Sequence, residues 1–141
     1  MIHFELVSAL GTKFKDDVYE VLVPTRDGTI AVFEDHMPLI SAGSPGVIAV
    51  RKKPGDSERS MEHFAVAGGV IQVDGKTIRF LSDDVTTSEE VSEQEAQEAQ
   101  KRAQELMNNA PSQVALHEAK RMMHHSSAKL HLAQLKKRHH R

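Results

Sequence analysis

Histidines are the residues whose type and spacing first suggest chemistry in this sequence. His117, His124 and His131 recur every seven residues within 112–141, a stretch that contains six of the nine histidines. Seven residues of α-helix rise by about 10.5 Å, whereas a zinc ion holds nitrogen ligands at about 2 Å, so the three cannot share one ion. Adjacent His124 and His125 point about 100° apart and form no chelate either. We predict no metal site, and we expect these side chains to gain positive charge near pH 6.5, which would strengthen binding to an acidic partner.

Motifs for catalysis and for phosphate binding are absent from the sequence. The chain has no G-x-x-x-x-G-K-[ST] loop, no G-x-S-x-G segment and no H-E-x-x-H pair. The segment 43–46 contains Pro45, which lacks the amide hydrogen that a phosphate-binding loop donates. Because the chain has no cysteine, disulfides, thiolate catalysis and cysteine-bound metals are excluded. We predict a non-catalytic protein with no catalytic residue, no metal and no cofactor.

Composition limits the size and the class of the protein. The 141 residues suit one domain, or a small domain with an appendage, and the core has to be mainly aliphatic because only 4% of the residues are aromatic. No run approaches the roughly 18 apolar residues that span a bilayer, and the first residues do not resemble a secretory signal. We therefore expect a soluble, intracellular protein.

Charge is distributed unevenly, although the formal net charge is only −2. Residues 1–87 carry 9 Lys or Arg against 13 Asp or Glu, residues 88–111 carry 2 against 6, and residues 112–141 carry 7 against 1. An acidic segment is therefore followed by a strongly basic one, which indicates that the end of the chain has a charge-dependent role.

The first 85 residues show the alternation of apolar and polar residues that is typical of strands. Short strands are predicted at 2–7, 19–23, 29–33, 47–50, 64–67, 70–73 and 77–81. Pro24 to Thr29 is predicted to form a hairpin tip, and Asp74-Gly75 favours a type I′ turn. Gly68-Gly69 indicates a bulge, or a corner at which a strand bends between sheets. Such regularly interrupted strands predict an all-β sandwich or barrel.

From residue 87 the composition becomes typical of helices. Thr87 and Glu90 fit a capping box, so that Thr87 would cap a first helix that continues to Asn109. Pro111 breaks this helix, and Ser112 can cap a second one that runs to about Lys137. Two helices joined by so short a break are predicted to form an antiparallel hairpin.

The predicted contact between the two helices is poor in large apolar residues. It would consist of Ala96, Ala99, Ala103, Leu106 and Met107 in the first helix and of Ala115, Ala119, Met122, Ser126, Leu130 and Ala133 in the second. Each buried methylene contributes only about 0.8 kcal/mol, and attraction between an acidic and a basic helix is screened by salt. Two alternatives stay open: a hairpin that opens at modest free-energy cost, and a static hairpin whose polar faces are solvated.

Several segments resemble the epsilon subunit of F-type ATP synthases. The matching segments are Glu5 to Ser8, Pro24 to Gly28, His36 to Leu39, Pro45-Gly46, Ala67 to Val70 and Glu98 to Ala103. No segment is specific by itself, but their order and spacing agree over essentially the full length. The resemblance implies an N-terminal β-sandwich of about eight to ten short strands in residues 1–86, followed by a C-terminal antiparallel two-helix hairpin in residues 87–141.

The resemblance also implies a function. In this family the sandwich lies at the base of the central stalk and binds the gamma subunit and the ring of membrane c subunits. The helical hairpin folds on the sandwich or extends toward the catalytic alpha and beta subunits, where it inhibits ATP hydrolysis. We accordingly expect a non-catalytic rotor subunit of a proton-driven ATP synthase, peripheral to the membrane on the cytoplasmic face of a bacterial plasma membrane.

Contact residues follow from the resemblance, position by position. It implies that the c ring contacts Thr25, Arg26, Asp27, Gly28 and Thr29. It implies that gamma contacts His36, Met37 and Ser41. It implies that acidic lobes of the beta subunits contact Lys120, Arg121, Lys129, Lys136 and Lys137. The alternatives are an ordinary hydrophilic turn, a histidine that packs its own loop and a solvated basic face.

The sequence departs from the family at two places. Some bacterial members bind ATP through an Ile/Leu-Asp-x-x-Arg-Ala pattern at the start of the first helix. Here Ser92 replaces the aspartate and Glu95 replaces the arginine, which reverses a charge that would face phosphate, so we expect no nucleotide binding. Glu34-Asp35 stands where the family usually has a Pro-Gly type turn, so a different local geometry is expected there.

The alternative function is that of a stand-alone binding module whose basic C-terminal helix contacts nucleic acid or another acidic partner. The basic helix has no interleaved aromatic residues for base stacking, and the acidic helix beside it would mask its charge. We therefore expect no nucleic-acid partner. Salt-dependent binding of the isolated protein to DNA would favour the alternative.

Overall fold

The computed structural model describes residues 1–139, so His140 and Arg141 lie outside the described residues, as does the side chain of His139. Strands come first in this part of the chain: β1 Ile2–Ser8, β2 Gly11–Val18, β3 Glu20–Thr25, β4 Gly28–Val32, β5 Leu39–Arg51, β6 Glu62–Val73, β7 Thr77–Leu81 and β8 Val85–Thr87. Two helices follow, α1 Glu93–Asn108 and α2 Gln113–His139, and one turn of 3-10 helix covers Glu58–Ser60. The predicted β-sandwich followed by a helical hairpin is confirmed.

The eight strands belong to one sheet that folds over into two layers. Its order is β2-β1-β7-β6-β5-β3-β4, and β8 pairs with β6 beside this path. The β1–β7 pair is parallel, and the other neighbouring pairs are antiparallel. β5 and β6, with 13 and 12 residues, are longer than the predicted short strands. They connect the layers, because the first part of β6 pairs with β8 and the last part with β7.

Gly68 and Gly69 lie where β6 changes its partner. Their φ angles are +97° and +151°, and residues other than glycine rarely adopt such positive values. A Cβ atom on Gly69 would also collide with the carbonyl group of Leu81 in β7. Since the register between β5 and β6 is the same on both sides of these glycines, the segment is the predicted corner and not a bulge.

We expect Gly69→Ala to lower the free energy of unfolding by about 2 kcal/mol or more, because the new methyl group meets backbone that is fixed by the β6–β7 pairing. Gly55→Ala is the matched control. A Cβ there meets open space, so the change should stay below about 0.5 kcal/mol. Urea denaturation followed by circular dichroism measures both variants, and equal stabilities would contradict the steric role of Gly69.

The core lies between the two layers and is mainly aliphatic, as the composition predicts. Ile2, Phe4 and Leu6 are fully buried at alternate positions of β1, which confirms the predicted alternation. They pack in one cluster with Val18, Val21, Val23, Val32, Ile48, Val50, Phe64, Val66, Ile71, Val73, Ile78, Phe80 and Val85. Within residues 1–139, α1 and α2 contribute no member of this cluster, so the sandwich closes its core without the hairpin.

Two details of the sheet differ from the sequence prediction. β2 is not among the predicted strands, because its outward positions are charged and Phe14 packs only partly against the core. The turn between β6 and β7 consists of Gly75 and Lys76, since the amide of Asp74 bonds to the carbonyl of Thr77 at 3.0 Å. Only Gly75 of these two has a positive φ. The predicted type I′ turn is therefore wrong, because that type needs positive φ at both positions.

The first helix begins five residues later than predicted. Thr87 ends β8, where it pairs with Phe64, and its Oγ1 accepts the amide of Glu90 only within a single turn. Ser92 caps α1 instead, because its Oγ accepts the Glu95 amide at 3.3 Å. The capping signature occurs twice in the sequence, at 87–90 and at 92–95. The backbone of Thr87 pairs with Phe64 in the sheet, so the helix starts at the second signature. Thr87 and Glu90 do contact each other, because Thr87 Oγ1 also donates to Glu90 Oε1 at 2.9 Å. The helix start predicted at Thr87 is wrong, because α1 begins only at Glu93.

α1 and α2 form the predicted antiparallel hairpin. The buried members of the predicted stripe are Ala96, Ala103, Ala119, Ser126 and Ala133. Leu106 and Met122 do not belong to it, because they are 50% and 47% exposed. Between the helices, Gln100 Nε2 donates to Ser127 Oγ at 3.2 Å. The contact thus consists mainly of small side chains, as predicted.

α2 packs on the sandwich as well as on α1. Ala128 and Leu132 are buried against Ala65 of β6, and Val47 and Val91 pack partly buried beside them. Leu132 is the large side chain of this contact and is fully buried. The hairpin is therefore folded onto the sandwich, through a contact separate from the main core.

Candidate functional site

The tip between β3 and β4 presents the residues that were predicted to contact the c ring. Arg26 and Asp27 are exposed at its end, beside exposed Gly28 and Thr29. Thr25 Oγ1 donates to the Gly28 carbonyl at 2.6 Å and accepts the Asp27 amide at 3.2 Å. Gly28 has a φ of +119°, which closes the turn. The structure thus brings all five residues together on one short, hydrogen-bonded turn with an opposite pair of charges.

The segment between β4 and β5 carries His36 and Met37. Asp35, which precedes them, has a φ of +65°, so an aspartate takes the positive φ that glycine would otherwise supply. Lys76 Nζ lies 3.0 Å from Asp35 Oδ1 and holds this turn against the turn between β6 and β7. His36 Nδ1 lies 2.8 Å from the Met37 carbonyl oxygen, so its ring is engaged within its own loop. Met37, in contrast, is 74% exposed.

Ser41, the third residue predicted to contact gamma, lies on the inner face of β5. It pairs with Ile71, which is fully buried, and paired residues place their side chains on the same face. Ile40 therefore faces outward and is 77% exposed, and Val70 of β6 is exposed on the same face. We name Met37, Ile40 and Val70 the apolar surface. Ile40 and Val70 were not predicted, although the alternation along 39–42 would have revealed Ile40 had that segment been recognised as a strand.

Two lysines of the predicted inhibitory face form ion pairs within the chain. Lys129 Nζ lies 3.5 Å from Asp84 Oδ2 in the loop before β8. Lys137 Nζ lies 2.6 Å from Glu93 Oε2 at the start of α1. The folded hairpin thus neutralises part of its basic face with acidic groups of the same chain.

The other residues of the predicted inhibitory face are more accessible. Lys120 and Arg121 are exposed, and Lys136 is partly exposed. A cleft of about 1010 Å³ lies between the first half of α2 and the sandwich, and His117, Arg121 and His124 line its helical side. The apolar contact with the sandwich is made by the second half of α2, through Ala128 and Leu132. The cleft separates much of the first half from the sandwich.

His125 lies where α2 meets the loop before β8. Its Nε2 is 3.4 Å from Asp84 Oδ2, yet this nitrogen is buried and, among the described residues, has no hydrogen-bond partner. Burial lowers the pKa of His125 below its usual value of 6.5, nearby Lys129 lowers it further, and Asp84 opposes them with a smaller effect. The ring is therefore neutral at pH 7 in the folded hairpin.

Ser92 and Glu95 occupy the positions at which the sequence departs from the ATP-binding pattern. Both are used at the start of α1, where the hydroxyl of Ser92 accepts the amide of Glu95. The absence of nucleotide binding stays a prediction. In the described part of the chain, no three histidine or carboxylate side chains lie close enough together to hold a metal ion.

Comparison with known proteins assigns the chain to a family. Residues 1–88 match the family described as ATP synthase, Delta/Epsilon chain, beta-sandwich domain. Over 137 residues the chain is 30% identical to the ATP synthase epsilon chain of Sulfurihydrogenibium sp. (strain YO3AOP1), and this match covers 96% of the chain and 99% of the relative. The chain belongs to the ATP synthase epsilon family. A second epsilon chain, from Delftia acidovorans (strain DSM 14801 / SPH-1), is 31% identical over 115 residues, 82% of this chain and 80% of the relative.

Solved ATP synthase structures contain chains with the epsilon-family fold seen here. In the cryo-EM structure of the Euglena gracilis mitochondrial ATP synthase, OSCP/F1/c-ring in rotational state 1, the TM-score is 0.75 at 16% identity, over 90% of this chain and 78% of that one. In the Tetrahymena thermophila mitochondrial ATP synthase structure of the central stalk and c-ring, the TM-score is 0.60 at 13% identity, over 92% and 96%. At these identities the likeness concerns the fold alone.

Proposed function

We propose that this chain is a rotor subunit of the central stalk of an F-type ATP synthase, which couples rotation to the c ring and inhibits ATP hydrolysis through α1 and α2. The observation that carries this proposal is the 30% identity that extends over 99% of an epsilon chain, because it includes the hairpin as well as the sandwich. The same proposal makes the subunit non-catalytic: it transmits torque through its contact surfaces.

The sandwich, residues 1–86, is the part that docks on gamma and the c ring in this proposal. The tip with Arg26 and Asp27 offers charge to polar loops of the c ring. The apolar surface offers gamma the kind of exposed hydrophobic contact that protein partners cover. Gamma binding is thus expected to depend on Met37 and Ile40 more than on inward-facing Ser41.

Substitution in the apolar surface tests gamma binding. We expect Ile40→Asp to weaken binding of the purified chain to gamma by about 30-fold or more, because a charge replaces an apolar side chain at the centre of the contact. Val114→Asp, at a similarly exposed valine of α2, is the matched control and should bind gamma as the unmodified chain does. Surface plasmon resonance measures both affinities. Full binding by the Ile40 variant would overturn the proposed surface.

The hairpin, residues 87–141, is the regulatory part in this proposal. Release from the sandwich frees Lys129 from Asp84 and separation of the helices frees Lys137 from Glu93. The whole basic face then becomes available to acidic lobes of the beta subunits, through Lys120, Arg121, Lys129, Lys136 and Lys137. Lys129 and Lys137 would then exchange Asp84 and Glu93 for acidic groups of another subunit. This exchange costs less free energy than leaving both lysines unpaired.

The proposed location follows from the complex. Among residues 1–139, neither helix has the length and apolar character needed to cross a bilayer. We propose attachment to the cytoplasmic face of a bacterial plasma membrane through the c ring, since the relatives named above come from bacteria. Nucleic-acid binding is not part of the proposal, because family membership explains the basic helix without it.

A further inference from the structure

His125 places a titratable ring in the contact between the hairpin and the sandwich. The imidazole lies between α2 and the loop before β8, and its side chain is only 20% exposed. The Nε2 atom faces Asp84 at 3.4 Å without forming a hydrogen bond. Lys129 Nζ lies on the same carboxylate oxygen, at 3.5 Å. The Asp84 carboxylate thus lies near two side chains that can carry positive charge, and Lys129 already neutralises its negative charge.

The position of Asp84 is fixed by the sandwich. Its carbonyl oxygen accepts the Ala67 amide at 3.2 Å and the Ser82 hydroxyl at 3.1 Å. The backbone of Asp84 is therefore attached to the middle of β6 and does not move with α2. Any change in charge at His125 consequently acts between the helix and the sandwich.

The charged groups that act on the His125 ring are Asp84 from the sandwich and Lys129 from its own helix; in the described part of the chain, β5, β6 and α1 add no charged group that alters its titration. Two other histidines, His63 and His131, line a separate cleft of about 420 Å³ farther along α2. Any effect of their protonation on docking is present in the His125 and His124 variants alike, so comparison of these variants removes it.

We propose that protons release the hairpin: the folded arrangement of α2 on the sandwich requires neutral His125, and protonation of this one ring favours the undocked helix. The proposal adds a signal to the regulatory hairpin of the proposed function. Docking itself is a property of the isolated chain and can be measured without the ATP synthase.

The direction follows from linkage. In an undocked, solvated helix the ring has an ordinary pKa of about 6.5, whereas in the docked state burial and Lys129 hold the pKa below that value. The undocked state therefore binds the proton first. Docking is at full strength above about pH 7.5, weakens as the pH falls through 6.5, and stops weakening below the lower, docked pKa.

A buried cysteine reports the undocked fraction. The chain has no cysteine of its own, so Ala128→Cys places one thiol in the contact between α2 and Ala65. The rate at which dithiodipyridine labels this thiol is divided by the labelling rate of an exposed thiol, introduced in a separate variant as Gln134→Cys. The ratio removes the effect of pH on the reactivity of the reagent and of the thiol. Between pH 7.5 and 5.5 we expect this ratio to rise several-fold, with about tenfold as the limit for one proton.

Matched histidine variants identify the responsible ring. His125→Asn in the Ala128→Cys chain is expected to give a ratio that changes by less than about twofold between the two pH values. His124→Asn, its exposed neighbour on the same helix, should keep the full pH dependence. Lys129→Met should reduce the dependence, because one of the two causes that lower the His125 pKa is removed.

Two results would overturn the inference: a labelling ratio that is the same at pH 7.5 and 5.5, or an equal pH dependence in the His125 and His124 variants. If the thiol introduced by Ala128→Cys is already accessible at pH 7.5, Ala65→Cys, on the sandwich side of the same contact, replaces it as the reporter. Failure of gamma binding would sink the proposed function and leave this result standing, so the two are distinguishable.

Discussion

Leu132→Ala is expected to release α2 from the sandwich while the sandwich stays folded. Leu132 is the large, fully buried side chain of the contact with Ala65 and Ala128. Truncation of a buried leucine to alanine costs about 2 to 5 kcal/mol. Since 1.4 kcal/mol corresponds to a factor of ten, the docking equilibrium should shift by about 30-fold or more toward the undocked hairpin.

Hydrogen exchange measured by mass spectrometry distinguishes undocking from unfolding. Amides of α2 should exchange much faster in the Leu132 variant, because a helix without tertiary packing frays. Amides of β1 and β7 should not change, since Leu132 is no member of the main core. Leu106→Ala is the matched control, the same substitution at a half-exposed leucine of α1. Slow exchange of α2 in the Leu132 variant would show that this contact does not hold the hairpin.

Removal of residues 88–141 is expected to separate the two proposed activities. The main core is made entirely by strand residues, so the remaining sandwich should fold and bind gamma with unchanged affinity. ATP hydrolysis by the reconstituted enzyme should rise by about fivefold or more, at the lower end of typical coupling between sites. Hydrolysis assays with the full-length and the shortened chain measure this effect.

A second truncation assigns the inhibition to one helix. A chain that ends at residue 110 keeps acidic α1 and loses basic α2. The enzyme reconstituted with this chain should therefore hydrolyse ATP as fast as the enzyme reconstituted with the shorter truncation. If this chain still inhibited fully, the basic face would not be the inhibitory element. If the chain that ends at residue 87 lost gamma, the sandwich would not be the docking part.

Local patterns account for much of the sandwich. The alternation of Ile2, Phe4 and Leu6 predicted a half-buried strand, and their complete burial confirms it. Gly68-Gly69 predicted a bulge or a corner, and both glycines have the positive φ angles that other residues rarely adopt. These features depend on a few neighbouring residues, and such dependence is what a single sequence can reveal.

Other features depend on distant parts of the chain and could not be predicted in this way. β2 is stabilised by its pairing with β1 rather than by its own apolar residues. Thr87 was a good capping residue, yet pairing with Phe64 in the sheet engages it first. The docking of Leu132 on Ala65 and the ion pairs of Asp84 join segments that no periodicity connects. The sequence indicated an acidic and a basic helix. It did not indicate that Asp84 of the sandwich neutralises part of the positive charge of the basic helix.

The parallel pairing of β1 with β7 determines when each part of a newly made chain can form. It joins the N-terminal strand to residues 77–81, and Arg79 Nε contacts Glu5 Oε2 at 3.0 Å across a separation of 74 positions. Such long-range pairing makes folding slow, whereas a helical hairpin relies on nearby contacts and forms quickly. During synthesis the apolar side of β1 therefore stays exposed to solvent until β7 has left the ribosome and can pair with it. The helices emerge after the strands, so a nascent chain can present the half proposed to bind gamma before the helices proposed to inhibit hydrolysis exist.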